Sequence, residues 1–192
     1  MCDKSNSHEA PARRRLQVRP IRADEHERLR QIRIESLQSD PHAFASTHAH
    51  AVARPAEAWV EWAQQSAAGR TQRTFVLVSD DDRWHGLALA RLDDEQPGAA
   101  LINAMWVRPS ARGQRGARAL GDACAGWAEQ RGCSEIRLHV VVDNQSARRA
   151  YENAGFRVCG RAPRPRDGGR LDELVMSRRL HPARPGASAR QP

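Results

Sequence analysis

Lysine is almost missing from this 192-residue chain: Lys4 stands alone, and arginine supplies the other basic residues. A G-x-x-x-x-G-K-[ST] phosphate loop is thereby excluded from the body of the sequence. The spacing of Gly113 and Gly116 also fails the G-x-G-x-x-G dinucleotide fingerprint. Cysteine is scarce. Cys2, Cys124, Cys133 and Cys159 show no C-x-x-C spacing, which argues against a zinc site. They read as three small buried hydrophobes and one tail residue, all reduced thiols. Aromatics make up 5% of the chain, with Tyr151 the single tyrosine. They are not interleaved with basic residues as in single-strand nucleic-acid binders. No apolar run approaches the roughly 20 residues that span a bilayer. The first residues have no apolar core of the secretory kind, so a cytoplasmic protein with no membrane partner is expected.

What is present is a balanced globular composition, 40% hydrophobic and 28% charged, with a net charge of +8. Part of the excess lies at Arg13 to Arg15 and at Arg178, Arg179, Arg184 and Arg190. Charge alone does not separate a nucleic-acid binder from an enzyme with an anionic cosubstrate. Residues 1–14 and 181–192 read as loose tails around one domain over 15–180.

Within that domain the periodicity predicts an opening strand at "RLQVRPIR". A helix follows over Glu25 to Gln38, capped by Asp24 and ended by Pro41, and a second spans Pro55 to Ala68. "TFVLVS", "WHGLALARL" and "AALINAMWV" read as strands. Ala117, Leu120, Cys124, Trp127 and Ala128 then share one helical face that Gly132 ends. "EIRLHVVV" is a buried strand, Asn144 opens a last helix that Gly155 stops, and "FRVCGR" and "ELVMSRRL" close the domain as strands. The expected fold is α/β: a mixed central sheet of six to seven strands flanked by about four helices.

The run "MWVRPSARGQRGARAL" (Met105 to Leu120) joins a strand to a helix through an arginine- and glycine-containing loop. A helix's first turn leaves N–H groups unpartnered, and its dipole adds roughly half a positive charge. Gly113 and Gly116 let a ligand approach the main chain, and Arg112, Arg115 and Arg118 offer forked donors. A pyrophosphate fits Gly113 to Ala117, and a solvated turn is the plain alternative. Farther on, "VVVDNQSARRAYENAGF" sets Tyr151 seven residues after Asn144, about two helical turns and one face.

Arg112, Gly113, Gln114, Arg115, Gly116 and Ala117 resemble the acetyl-CoA signature R/Q-x-x-G-x-G/A of the GNAT superfamily of N-acetyltransferases. Asn144, Ala147, Tyr151, Gly155 and Phe156 resemble its second motif, N-x-x-A-x-x-x-Y-x-x-x-G-F. The resemblance runs from about Leu16 to Leu180, most specifically from Leu101 to Phe156. One position departs: Arg115 replaces the usual glycine, which implies a different loop path or an outward arginine.

The resemblance implies the GNAT fold and acetyl-CoA as cosubstrate, with no metal. The pantetheine arm lies along the backbone of Met105, Trp106 and Val107, and the diphosphate meets the amides of Gln114 to Ala117. Asn144 bonds the arm, and Tyr151 protonates the leaving thiolate. The amine must lose a proton, and Glu35, Asp40, Asp93, Glu173 and His139 are the candidate bases; Asn103 can position a water. "SDPHAFASTHAHA", containing Phe44, resembles a segment bordering the acceptor site. Trp59, Trp62, Trp84 and Trp106 could line an apolar pocket or pack a core. Glu35, Asp40, Asp93, Asp94, Asp172 and Glu173 could draw a cationic amine. The expected activity is acetylation of a small-molecule amine, with an aminoglycoside-like antibiotic or polyamine as its most specific form. A protein N-terminus or side-chain amine is the alternative acceptor. A nucleic-acid-binding module and a non-catalytic CoA sensor are the alternatives of another class. No nucleic-acid partner is expected, and a homodimer is left open.

Overall fold

The computed structural model describes residues 15–166 and 169–181. Both expected tails lie outside the described residues, apart from His181, as does Cys2. In chain order the elements are β1 Leu16–Pro20, α1 His26–Ser39, α2 His48–Ala53, α3 Ala56–Ala68, β2 Gln72–Ser79, β3 Trp84–Leu92 and β4 Ala99–Val107. They continue with α4 Gly116–Gln130, β5 Glu135–Val141, α5 Gln145–Asn153, β6 Arg157–Arg166 and β7 Gly169–Arg179. The seven strands form one sheet in the order β1-β2-β3-β4-β5-β7-β6. Only β4 and β5 run parallel, because the crossover helix α4 joins them.

Both faces of this sheet are covered, and β2 shows why. Phe75 and Leu77 enter one buried cluster with Leu120, Cys124 and Trp127 of α4. Val76 and Val78, pointing the other way, enter a second with Leu29, Ile32 and Leu37 of α1 and Trp59 of α3. A strand apolar on both sides therefore needs helices on both sides. The face predicted for α4 is buried: Leu120, Cys124 and Ala128 are wholly inaccessible.

The described residues hold five α-helices, in keeping with the expected fold, and two local expectations are corrected. One of the five, α2, is a six-residue turn of "HAHAVA" whose N-cap Thr47 accepts from the amide of His50 at 3.2 Å. It is too short to show a helical period. Asp24 does not cap α1. Glu25 occupies that position, and its carboxylate takes the Arg22 amide at 2.8 Å and the Arg19 guanidinium at 2.7 Å. Cys124 and Cys133 are buried, but Cys159 is exposed on the edge strand β6.

Candidate active site

The site begins with a break in the sheet. The β4–β5 ladder runs only from Ala99↔Glu135 to Ile102↔Leu138. Just beyond it Ala104 takes a left-handed φ of +53°, and the β3–β4 register slips between Leu87 and Leu89. Such a bulge bends a strand. From there β4 stays on β3, reaching Gly86↔Val107, while β5 stays on β7, reaching Val141↔Glu173. Gly86 permits the tight β3–β4 approach, since a Cβ there would sit 2.6 Å from the Trp106 carbonyl oxygen. The parted strands open into a cavity of about 840 Å³.

Asn103, Ala104 and Met105 of β4 line one part of this cavity, and Leu138, His139 and Val140 of β5 another. Asn144 and Tyr151 reach it from α5. Asn144 also caps α5, its side-chain oxygen accepting the Ala147 amide at 3.1 Å. That cap is worth about 1 kcal/mol. Tyr151 is half-buried, with its ring edge-on to Phe156 at 6.0 Å. No described residue hydrogen-bonds its hydroxyl. Burial pushes the phenol well above its ordinary range, and the neighbouring Cys124 adds to that. The hydroxyl therefore stays protonated near neutral pH and can serve as a proton donor.

Beside the end of β4, α4 starts at Gly116 with Arg115 as its N-cap. Arg115 has φ +60° and ψ 14°, so the arginine adopts the conformation that a glycine would take freely. The departure from the motif leaves a glycine-like backbone path, at a strain of about 1 kcal/mol. Its side chain is exposed. Gly116 is buried, and a Cβ there would fall 2.5 Å from Leu77 Cδ2, so glycine sets α4 close on the sheet. No acceptor among the described residues reaches the N–H groups of Gly113 to Ala117.

The remaining expected residues divide. Phe44, Asn103, His139 and Glu173 line the cavity, whereas Glu35, Asp40, Trp84 and Asp93 do not. Glu35 pairs with Arg108 at 2.8 Å. Asp40 accepts from Trp106 Nε1 at 2.7 Å, Arg112 at 2.8 Å and Ser39 Oγ at 2.8 Å. Burial alone would raise the Asp40 pKa, but these three donors outweigh it and hold the carboxyl below its usual range. A carboxylate so held is a clamp, tying the end of α1 to β4 and the loop, and a poor base. Arg112 is committed to the same clamp, with its Nε also on the Val107 carbonyl at 2.9 Å. Trp84 is core, with Arg28 over its ring at 4.6 Å. Asp93 binds the Glu95 amide in the β3–β4 turn. Of the four tryptophans considered for a pocket, Trp59 and Trp62 face the cavity and Trp106 packs in the core.

Two candidate bases meet. Pairing of β5 with β7 brings Glu173 Oε2 to 3.4 Å from His139 Nδ1. Arg164 Nε lies 3.1 Å from the same oxygen. Glu173 is only 4% exposed. Among the described residues no group of His, Cys, Asp or Glu is placed to hold a metal ion, and no helix is long and apolar enough to cross a membrane. Sequence reasoning passed over Arg33, Arg54 and Arg164, which all reach the cavity. For Arg33 a signal existed, because it lies four residues from both Leu29 and Leu37 on the buried stripe of α1.

The profile of the acetyltransferase (GNAT) family matches residues 29–156. The chain belongs to that family. The chain is 30% identical over 134 residues to a mycothiol acetyltransferase of Brachybacterium faecium, covering 68% of this chain but 37% of that protein. The chain thus spans little more than a third of that curated relative. The solved structure of a GCN5-related N-acetyltransferase from Kribbella flavida superposes with a TM-score of 0.69 at 26% identity, over 86% of this chain and 98% of that one. A nourseothricin acetyltransferase gives 0.53 at 28% identity, over 58% of this chain and 66% of its own. The seven-stranded sheet and its five helices are the GNAT fold.

Proposed function

We propose that this acetyltransferase moves the acetyl group of acetyl-CoA directly to a primary amine of a small-molecule acceptor held in the cavity. The observation that carries this reading is the parting of β4 from β5. It leaves the main chain of Met105 to Val107 without a β5 partner, next to the unpartnered amides of Gly113 to Ala117. An extended arm can add to the first, and a diphosphate to the second. Asn144 and Tyr151 both line the cavity, which supports the first as a partner of the arm and the second as the proton donor to its sulfur.

In this reading His139 takes the proton of the attacking amine, and the Glu173 carboxylate, 3.4 Å from its Nδ1, stabilises the imidazolium that forms. The amine nitrogen bonds to the thioester carbonyl carbon, the C–S bond breaks, and the Tyr151 hydroxyl gives its proton to the departing sulfur. Asn103 accepts from Arg91 Nε at 3.2 Å and keeps its amide group to orient a water or the acceptor.

The nourseothricin acetyltransferase likeness supports an antibiotic acceptor. The wall of the cavity argues against a strongly cationic one, since only Glu61 and Glu173 among its residues are carboxylates. A peptide amine is the second acceptor class. Incubation with acetyl-CoA and a panel of free amines and peptides, read by thiol release and product mass, is the test. Thiol release with small amines is expected to exceed that with peptides. Cofactor binding without thiol release from any acceptor would mark a sensor instead.

A further inference from the structure

Arg33 is the one arginine, among the described residues, buried beyond nine-tenths. Buried charges are ordinarily paired. Arg19, Arg108, Arg137 and Arg178, all more exposed, each hold a carboxylate. Arg33 holds none. Its hydrogen bond is a long one, from Nη1 to Ser36 Oγ at 3.3 Å. Its guanidinium lies over the Phe44 ring at 4.5 Å, and both residues line the cavity. The ring face offsets part of the cost of burial, but it accepts none of the forked N–H donors. A second guanidinium shares this end of the cavity. Arg54 lies over Trp59 at 5.0 Å and Trp62 at 5.1 Å. Burial first, and then the charge of Arg54, pushes Arg33 down to about 10. It remains a cation at neutral pH. Glu61, the carboxylate that α3 lends to the wall, is exposed and accepts from Gln65 at 2.8 Å.

We propose that the acceptor carries an anionic group, a carboxylate or phosphate, which Arg33 receives at the α1–α2–α3 end of the cavity. This rests on the acetyl-transfer reading above and sharpens its acceptor. The reacting amine lies at the other end, beside His139 and Tyr151, so the molecule is bipolar. A cavity of about 840 Å³ accommodates such a molecule. A planar oxyanion satisfies the guanidinium fork in a way that a hydroxyl or amide does not.

The test uses matched acceptors: amino acids against their primary amides, and aminoalkyl phosphates against the parent amino alcohols. Each pair is read by kcat/KM from thiol release. Each is also read by calorimetric titration in the presence of CoA, where no turnover occurs. The wild-type protein is expected to favour the anionic member of at least one pair by about tenfold or more, the scale of a charge-assisted hydrogen bond. The favoured pair tells carboxylate from phosphate. In Arg33→Gln that ratio falls to near one. Equal use of charged and neutral members by the wild type overturns the proposal without any variant, as does an unchanged ratio in Arg33→Gln. Should no amine release thiol, the acetyl-transfer reading fails and titration alone decides. Anion-selective binding lost in Arg33→Gln still supports the site, and unselective binding overturns it.

Discussion

Tyr151→Phe lowers kcat for acetyl transfer by about 100-fold, the lower end of what a positioned proton donor supplies. The KM for acetyl-CoA stays within about threefold, because the phenol acts on the departing sulfur while binding rests on main-chain amides. The ring itself is retained, so its contact with Phe156 survives and the thermal midpoint barely moves. Steady-state kinetics of the variant check this. Equal losses in kcat and in cofactor affinity would assign Tyr151 to binding, and unaltered kcat would remove it from the chemistry. The phenol suits the role because it ionises only well above the working pH. A donor that had already lost its proton could not protonate a thiolate.

His139→Gln carries the second large effect. At neutral pH kcat/KM for the acceptor falls by about 100-fold or more, since a protonated amine has no lone pair to attack with and the glutamine cannot take its proton. The pH profile separates this from simple damage. In the wild type the ring takes the proton from the bound amine. In the variant the acceptor must arrive already neutral, and raising the pH recovers much of the lost rate. Glu173→Gln moves kcat in the same direction by less, because the carboxylate acts through the ring it faces at 3.4 Å. A pH profile identical in shape to the wild type would show that the proton leaves by another path.

Much of this site could be read from the sequence because its parts are local. Asn144 caps the helix that carries Tyr151 two turns later on the same face, and Gly116 opens another. Local spacing fixes such relations. What escaped is set by long-range pairing. Nothing in an alanine announces the left-handed φ of Ala104, which the β3–β4 pairing imposes and which opens the cleft. Glu173 and His139 were two names among five until β7 chose its register on β5. Asp40 had the right chemistry for a base, but Trp106, 66 residues away, holds its carboxylate as an acceptor. Arg115 is a partial case. The motif marked the position as glycine, and the main chain there behaves as one despite the arginine.

In the proposed complex acetyl-CoA fills the gap where β4 leaves β5. Amide hydrogen exchange across residues 103–118, followed by mass spectrometry with and without acetyl-CoA, addresses it without a crystal. Strong slowing is expected on cofactor addition in two segments, the free edge of β4 around Met105 to Val107 and the first turn of α4 at Gly116 and Ala117, with β1 unchanged. Exchange in both segments that is indifferent to saturating acetyl-CoA would contradict that placement.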